Sequence, residues 1–514
     1  MRIHLVNPSH ISFGVAVITP RWLFVLAAAT PREFGDPILV DETLDPFDAS
    51  TIEAGDIVGI GIHTGNALNG YAVGKAAHAR GARVVYGGIH ATLYPDEPGR
   101  EGAADAVVKG DGDLIWGQIV RDCVAGTLKP FYDAGQIPGE HMVQARWDLI
   151  RRDKYMWASV QTVRGCPKHC SFCSVWKTDG QEPRQRGVDM VVGEVVELRR
   201  LGFRFIALAD DNFYPVTLSD LAAAARRKDP SALIELQAMR DERLELMRRL
   251  SMLPSDLIFF TQITMEAAED PEFLEAMRAA RIKGALVGVE AITPAGLKDV
   301  YKGFNLSGDQ LVERLRAFRE HDIHVLGSFI FGLASDTAET FEATEALAER
   351  ADITFAQFMM LTPFPGTVDF EKWAKEADAQ GQQVDGVPLS RHWLIPADRR
   401  PHVYTEHPVM SVEEIRRRTQ RTWDRFYSIG AIWKRSRCVR SLRYRLAFIL
   451  VSKLYRQMYA NTGLSTDSAR VSRSVNWSRR LAAPLRRLFA AQPMPDLAVP
   501  DPPRVPRLAV PSSS

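Results

Sequence analysis

The sequence predicts an α/β protein in which a doubly wound parallel sheet precedes a partial (β/α)6 barrel and a helical C-terminal region. Three observations predict this fold. Residues 1–145 alternate short apolar strands with helical stretches, which is typical of an open parallel sheet covered on both faces. Residues 146–390 contain six further apolar runs separated by helical sequence. Residues 391–490 are helical and basic, and the seven prolines of residues 491–514 predict a disordered tail.

The N-terminal sheet is predicted from five short apolar runs. Sheets of this kind bind ligands at the carboxyl ends of their strands. The predicted ends, at residues 63–66, 87–90 and 109–113, are rich in glycine and polar residues, so we expect a binding site along this edge. The strands are Ile3–Val6, Ile38–Val40, Ile57–Ile62, Arg83–Tyr86 and Ala106–Val108, with helical stretches at Gly70–Arg80 and Leu114–Asp122.

The barrel is predicted from a strand before residue 163 and five later apolar runs. A helix is expected at Val191–Leu201, and the polar-faced helical sequence of Leu218–Leu250 is interpreted as an insertion before the third strand. The five later strands are Phe205–Ala209, Leu257–Thr264, Ala285–Val289, His324–Phe331 and Phe355–Leu361.

The composition narrows the class of protein. Apolar residues make up 46% and charged residues 25% of 514 residues, and the net charge of +1 does not suggest nucleic acid binding. The chain begins with a short predicted strand instead of a signal peptide, and no apolar run is long enough for a membrane-spanning helix. Five cysteines do not form a disulfide framework in a chain of this length. Three of them are spaced to hold a metal cluster as thiolates, which needs a reducing compartment, so we expect a cytoplasmic location.

The most informative motif is the CxxxCxxC run formed by Cys166, Cys170 and Cys173. Thiolates at this spacing can hold three irons of a [4Fe–4S] cluster and leave the fourth iron open to a small molecule. A zinc site would need a fourth ligand, for which His169 is available, and inert thiols are the other alternative.

This run resembles the signature of the radical SAM enzymes, and the position of Phe172 before the third cysteine fits that family. The resemblance implies a TIM-type barrel in which the three cysteines hold the cluster and Phe172 covers it from water. It also implies that S-adenosylmethionine (SAM) binds the open iron and is cleaved to a 5′-deoxyadenosyl radical. An electron donor such as flavodoxin or ferredoxin is then expected.

The ends of successive barrel strands also resemble the SAM-binding positions of this family, although its usual Gly-Gly-Glu is absent. The resemblance implies that carboxylates after the second strand meet the SAM amino group and that one after the fourth accepts from the ribose hydroxyls. The expected SAM contacts are Asp210, Asp211, Glu290, Ser328 and Thr362.

Residues 1–145 resemble the Rossmann-like cobalamin-binding domain that precedes the barrel in one radical SAM subclass. A domain of this fold without a ligand is the alternative. The Asp-x-His-x-x-Gly motif of His-ligated cobalamin occurs only at Asp322–Gly327, inside the barrel, and we interpret that copy as coincidence. Cobalamin is therefore expected without a protein histidine on cobalt. Its expected contacts are Thr64, Gly65, Gly87, Gly88, His90 and Gly110.

Together these resemblances imply a cobalamin-dependent radical SAM enzyme that methylates an unactivated carbon of an unidentified small molecule. Ring formation, ring contraction or oxygen insertion would use the same cofactors. RNA methylthiolation would require three more cluster cysteines in the N-terminal domain, where only Cys123 is present. A cobalamin sensor or carrier would need neither the cysteine run nor the barrel motifs.

The C-terminal region is locally basic. Residues 411–490 contain 19 Lys and Arg against 4 Asp and Glu, an excess of 15 positive charges. An apolar band within it includes Leu442, Leu446, Ile449, Leu450, Leu454 and Met458. Such a helix can lie on an anionic membrane surface, here the inner membrane face, which would favour a lipid-like substrate. The alternative is a helix that packs on the barrel with solvated arginines.

Overall fold

The computed structural model describes residues 1–9, 16–401, 403–439 and 441–461. The N-terminal sheet has six parallel strands in the order β3-β1-β4-β5-β6-β7. The central strands are continuous apolar runs because helices cover both faces. The strands are β1 (Ile3–Asn7), β3 (Ile38–Asp41), β4 (Ile57–Gly61), β5 (Arg83–Gly87), β6 (Ala106–Gly110) and β7 (Phe131–Gly135), and β2 (Ala16–Ile18) belongs to the second sheet. The helices are α1 (Arg21–Ala29), α2 (Ala67–His78), α3 (Ile89–Leu93), α4 (Glu97–Glu101) and α5 (Trp116–Ala125).

The second sheet has seven parallel strands in the order β15-β14-β13-β12-β11-β8-β2. Six of them are the predicted barrel strands, and β2 is contributed by the N-terminal segment, pairing Ile18 with Trp157 of β8. The barrel strands are β8 (Tyr155–Val160), β11 (Phe205–Leu208), β12 (Ile258–Ile263), β13 (Ile282–Glu290), β14 (His324–Phe331) and β15 (Phe355–Met360). Short pairs are β9 (Val163–Arg164) with β10 (Arg184–Gln185) and β16 (Gln383–Val384) with β17 (Val387–Pro388).

Helices cover the outer face of this curled sheet, and the predicted α/β fold class is confirmed. The outward side chains meet the helices, as Phe331 does with Phe341 and Phe358 with Trp423. The helices are α6 (Val175–Thr178), α7 (Val188–Arg200), α8 (Leu218–Arg227), α9 (Pro230–Ser251), α10 (Pro271–Ala279), α11 (Pro294–Asp299), α12 (Gly308–Glu320), α13 (Ala338–Arg350), α14 (Val368–Ala379), α15 (Val412–Phe426), α16 (Ile429–Arg435) and α17 (Leu442–Asn461).

The interpretation of residues 218–250 as an insertion is wrong for its second helix. The long helix α9 packs against α7 and α10 and so belongs to the helical layer of the barrel. It buries Leu246, Met247 and Leu250 and, among its charged residues, Arg240 and Arg243. The polar sequence is explained by these buried arginines, which have carboxylate and hydroxyl partners in the barrel.

The C-terminal helices close the free edge of β15. The hydroxyl of Tyr427 accepts from Ala356 N at 3.0 Å and donates to Ala356 O at 2.8 Å, and Trp423 Nε1 donates to Phe358 O at 2.7 Å. Edge strands need such cover because their unpaired backbone groups can pair with another chain. One side of α17 also packs on the barrel, where Phe448 contacts Phe355 of β15.

The opposite side of α17 remains uncovered. Leu442 and Leu446 are 62% and 57% exposed, and Leu450 is 36% exposed. The predicted apolar band is thus divided between packing on the barrel and exposure; the side chain of Met458 and the predicted tail at 491–514 lie outside the described residues. Within the described ranges, no helix is long and apolar enough to cross a membrane.

Candidate functional site

The cysteine run forms a loop that is held by backbone bonds to other elements. Cys166 N donates to Gly180 O at 3.1 Å, and Ser171 N donates to Val300 O at 3.2 Å. The hydroxyl of Ser171 also donates to Asp369 at the start of α14, at 2.9 Å. The loop is therefore fixed to the segment after β13 and to the segment after β15, both at the carboxyl end of the barrel. Catalytic sites of such barrels lie at this end.

The three thiols influence one another electrostatically. Burial raises the pKa of each thiol, to about 12 for Cys173. Repulsion from neighbouring cysteines adds to the increase at Cys166 and Cys173, whereas at Cys170 the added repulsion comes from Glu290. No three His, Cys, Asp or Glu side chains in the described part of the chain are already assembled at metal-ligand distances. Three thiols on one loop, one buried and two partly buried, nevertheless suit a cationic cluster, because iron would replace the protons and relieve the repulsion. His169 is exposed, which does not favour a four-ligand zinc site.

Two lysine–glutamate pairs flank the loop. The buried ammonium of Lys302 donates to Glu290 Oε1 and to Gly288 O, both at 3.0 Å. Burial disfavours this charge, but Glu290 and Cys170 outweigh burial, and the pKa of Lys302 is raised. On the loop itself, Lys168 pairs with Glu266 at 2.9 Å. Positive charge on both sides of the thiols would favour their ionised form.

Glu290 was expected to accept from a ribose, and it does end the fourth barrel strand. Its carboxylate, however, accepts from Lys302. The backbone of Glu290 has a φ of 62°, in the left-handed region. Sequence reasoning missed Lys302, which lies twelve residues farther along the chain. A buried lysine has no sequence signal of its own, because its partner is set by the turn after β13.

Asp210 does not have the surroundings expected for contact with the SAM amino group. Its carboxylate is almost fully buried and accepts from the hydroxyl and the backbone nitrogen of Thr162 and, at 2.9 Å, from Val163 N. Arg243 of α9 lies 4.0 Å away. These partners occupy the carboxylate, so Asp210 positions the strand end before the cysteine loop. The expectation of direct contact is corrected on this ground.

Asp211 lies closer to the loop. Its carboxylate accepts from Gly165 N at 2.7 Å, one residue before Cys166. Burial raises its pKa, and the neighbouring Asp179 adds to the increase. Asp211 therefore stays a candidate for contact with the SAM amino group, because an approaching ammonium would relieve this accumulation of negative charge.

The remaining predicted SAM contacts lie along the same end of the barrel. Ser328 Oγ accepts from Gln357 Nε2 at 2.9 Å, and the hydroxyl of Tyr459 on α17 donates to the same glutamine. Thr362 donates to Met360 O at 3.2 Å. Phe172 packs at the rim of a small apolar cluster that contains Leu333, which agrees with a covering role. Their roles in binding stay predictions.

In the N-terminal domain, the position of His90 does not suit the predicted contact with cobalamin. The imidazole is fully buried; Nε2 lies 2.9 Å from Glu97 Oε1 and Nδ1 lies 3.2 Å from Thr64 Oγ1. Because the carboxylate of Glu97 accepts, Nε2 donates to it, and Nδ1 shares its hydrogen bond with the hydroxyl of Thr64. Neither nitrogen is free for a ligand, so direct contact between the His90 side chain and cobalamin is contradicted.

Glu97 joins the two domains through a shared carboxylate. Oε1 also accepts from Tyr71 at 2.8 Å and from Trp393 Nε1 at 2.8 Å. Trp393 follows the barrel in sequence but packs in the core of the N-terminal domain. A carboxylate with three buried donors is strongly held in place, which fixes the orientation of this edge.

The glycines at this edge leave the backbone accessible. Gly65 and Gly88 are exposed, and Gly87 has only Val108 Cβ, at 3.9 Å, near the position of an added methyl group. Gly88 has a φ of 93°, and a Cβ there would lie 2.6 Å from Ile62 O. Gly110 has a φ of 86°. The edge thus presents backbone, and a large ligand can approach it closely.

This edge faces the cysteine loop. Arg164, two residues before Cys166, pairs with Asp113 at 2.9 Å and with Asp111 at 3.0 Å, both in the loop after β6. Gly366, after β15, lies against Leu93 of α3. Residues 109–113 form the predicted strand-end loop, whereas the arginine that joins this loop to the barrel was not predicted.

Comparison with known proteins agrees with this arrangement. Residues 160–348 match the model of the Radical SAM superfamily. The chain is 28% identical over 368 residues to a bacteriochlorophyllide d C-12(1)-methyltransferase of Chlorobaculum tepidum, covering 70% of this chain and 74% of that protein. It is 26% identical over 371 residues to a hopanoid C-2 methylase of Rhodopseudomonas palustris, covering 70% and 65%.

A solved structure has the same fold over almost the whole chain. It is the radical S-adenosylmethionine methyltransferase TsrM from Kitasatospora setae with cobalamin and a [4Fe–4S] cluster bound, at a TM-score of 0.60 and 17% identity, covering 95% of this chain and all of that one. The cysteine loop and most of the barrel lie within the residues that match the Radical SAM superfamily model, and the two-domain fold of the chain is similar to that of TsrM.

Proposed function

We propose that the protein is a cobalamin-dependent radical SAM enzyme that transfers a methyl group to an unactivated carbon of a small molecule. One observation carries the proposal: the three-cysteine loop of the barrel faces the glycine-lined edge of the N-terminal sheet, with Arg164 joining the two. The names of both curated relatives, which are methylating enzymes, support methyl transfer. When bound, the cluster and SAM would supply one-electron radical chemistry, and cobalamin would supply the methyl group.

The side chains of this protein would hold and shield these groups. Cys166, Cys170 and Cys173 would ligate iron, and Phe172 would exclude water from it. Lys302 would offset the negative charge of the thiolates. The accessible backbone at Gly87 would admit the corrin. Such a division, in which cofactors react and the protein orients them, is general for cofactor enzymes.

The experiment is an anaerobic assay with purified, reconstituted protein. We expect iron and cobalamin to copurify, and reduction in the presence of SAM to release 5′-deoxyadenosine. The reconstituted protein would then be added to extract from a strain that lacks it, together with SAM deuterated on its methyl group. A product that gains the labelled methyl group supports the proposal. A product that loses hydrogen or gains oxygen without label would replace methylation by ring formation or oxygen insertion.

The source of electrons is part of the same proposal. A radical SAM enzyme requires a one-electron donor, and we propose a small acidic redox protein such as flavodoxin or ferredoxin from a reducing cytoplasm. The test compares 5′-deoxyadenosine release with purified flavodoxin and its reductase against release with a chemical reductant. Release only with the chemical reductant would exclude that donor.

We further propose that the exposed side of α17 contacts an anionic membrane surface. Leu442, Leu446 and Leu450 recur at helical spacing on that side, and Arg443 and Lys453 are exposed beside them. Basic residues near an anionic bilayer contribute roughly 1 kcal/mol each, and salt screens this attraction.

The test is sedimentation with anionic or neutral vesicles at low and high salt. We expect binding to anionic vesicles at low salt and its loss in a variant with all three leucines changed to serine. Ile234→Ser is the matched control, because Ile234 is 68% exposed on α9. Equal, weak binding in all conditions would leave α17 as a helix that only covers the barrel.

A further inference from the structure

The concave face of the barrel sheet carries large apolar side chains that lie outside the packed core. They are half-buried, and Ile258 is 41% exposed. Among the described residues, none of this set belongs to a packed hydrophobic cluster. The set, here called the apolar floor, consists of Trp157, Phe205, Ile258, Phe260, Leu286, Leu326 and Met359.

Strand register places these residues on one continuous surface. Alternate residues of each strand point to opposite faces. Phe331 and Phe358 point outward to the helices, so their neighbours along each strand point inward. Pairing sets Phe205 beside Ile258 and Leu286 beside Leu326, while the rings of Trp157 and Phe205 are 4.6 Å apart.

The apolar floor lies below the polar groups of the site. On the same inward face, Ser328 pairs with Gln357 one step closer to the cysteine loop than Leu326. Beyond them, Glu290 and Lys302 stand beside the loop. At its far side the floor ends at Phe355, which is covered by Phe448 and Tyr455 of α17. A molecule on the floor would therefore have one end near the cysteines and its body among uncharged side chains.

We propose that the substrate is a bulky, largely apolar molecule whose uncharged body rests on the apolar floor. When a ligand removes half-exposed apolar side chains on a concave surface from water, the free energy of the complex is lowered. A nucleotide or a charged peptide would lose its hydration there without gaining polar partners. This inference rests on the proposed function, since it assigns the substrate class of the same site.

The first test uses Nile red, an uncharged polycyclic dye, titrated into the full-length, cluster-loaded protein. We expect saturable binding that weakens at least tenfold in Phe260→Asn and in Leu326→Asn, which lie on different strands. Ile234→Ser, on an exposed helix surface, should bind like the unaltered protein. Circular dichroism identifies a variant that fails to fold, and the other variant then decides. Binding that is not saturable, or equal in the folded variants, would overturn the proposal.

The second test separates this inference from the proposed function. Extract incubated with the reconstituted protein and methyl-deuterated SAM is partitioned between hexane and water. Labelled product in the hexane phase supports an apolar substrate, and label confined to water overturns it. If SAM is not cleaved at all by the reconstituted protein, the proposed function fails, and the dye titration still decides whether the apolar floor binds an apolar molecule.

Discussion

The carboxyl ends of the two parallel sheets face each other but present different groups. In the N-terminal sheet the polar side chains bond to one another or to the barrel, as His90 does with Glu97, and the accessible surface is backbone at Gly87 and Gly88. In the barrel the side chains themselves form the site, with thiols beside Lys302. The carboxyl ends of the N-terminal strands thus allow close approach of a large ligand. The carboxyl ends of the barrel strands instead provide ligand atoms and charged groups.

The largest expected effect breaks the barrel side of this comparison. Changing Cys166, Cys170 and Cys173 to alanine should abolish iron binding and 5′-deoxyadenosine release, because no other thiols lie on the loop. The matched control changes Cys123 and Cys438, which are partly buried elsewhere, and should retain both. Iron analysis and absorbance measure the result. Retention of the cluster by the triple variant would contradict the assignment.

The next effect concerns the carboxylate that positions the cysteine loop. Asp210→Ala should lower the free energy of unfolding by about 3–5 kcal/mol, because it leaves Arg243 buried without its countercharge. Adding Arg243→Met should recover part of this loss. Urea denaturation of the single and double variants measures both values. Equal stability of the single variant and the unaltered protein would show that Asp210 is free to bind a ligand instead.

The segment after the barrel that carries His392 should be less stable in acid. His392 Nε2 donates to Pro363 O at 3.1 Å, while its buried Nδ1 has no hydrogen-bond partner among the described residues, and burial lowers the pKa of His392 to about 4. Because the neutral form is favoured in the folded state, its contribution to stability falls as the pH drops from about 6.5 toward 4. From pH 7 to 5 the loss is about 2 kcal/mol.

The variant His392→Gln tests this dependence, since its amide can still donate but does not titrate. Its free energy of unfolding, measured by urea denaturation at each pH, should fall less between pH 7 and 5 by about the same 2 kcal/mol. An unchanged pH dependence would assign the acid sensitivity to other groups.

A paired glycine experiment addresses the N-terminal side. Gly87→Ala adds a methyl group whose nearest neighbour, Val108 Cβ, is at ordinary van der Waals distance, so it should leave the melting temperature unchanged and weaken cobalamin binding about tenfold, or about 1.4 kcal/mol. Gly88→Ala should instead destabilise the fold, because its φ is 93° and its Cβ would approach Ile62 O. Unchanged cobalamin affinity in Gly87→Ala would move the ligand away from this edge.

The smallest effect sharpens the electrostatic side of the comparison. Lys302→Met removes a positive charge beside the thiols and should lower the midpoint potential of the cluster, because reduction adds negative charge. Glu290→Gln removes the countercharge and should raise it. Each shift is expected to stay below about 60 mV, a tenfold change for a one-electron couple. A redox titration followed by electron paramagnetic resonance measures both, and shifts of the same sign would indicate a purely structural role.

Much of the fold was predictable because the barrel strands are continuous apolar runs. His324–Phe331 was predicted with its observed bounds. The missed strands have weak signals: β7 exposes Phe131 and contains polar residues, and β2 has only three residues. Helix α1 was also missed, although Leu23 and Phe24 are buried in it.

The site was less predictable than the fold, because partners far apart in sequence decide the roles of charged groups. Asp210 was expected to contact SAM, but Arg243 on α9 and the strand end at Thr162 and Val163 engage it. His90 was expected at a ligand, but Glu97 holds it in the core. A motif gives the type of residue and its strand end, while the direction of the side chain depends on packing.

The pairing of β2 with β8 has a consequence for how the chain is made. A segment synthesised before the N-terminal domain is complete must wait for the barrel to emerge from the ribosome before its strand finds a partner. A fragment that starts at residue 146 would expose the edge of β8 and would tend to aggregate. Separate production of the barrel is therefore expected to require residues 16–18, supplied as a linked or added peptide.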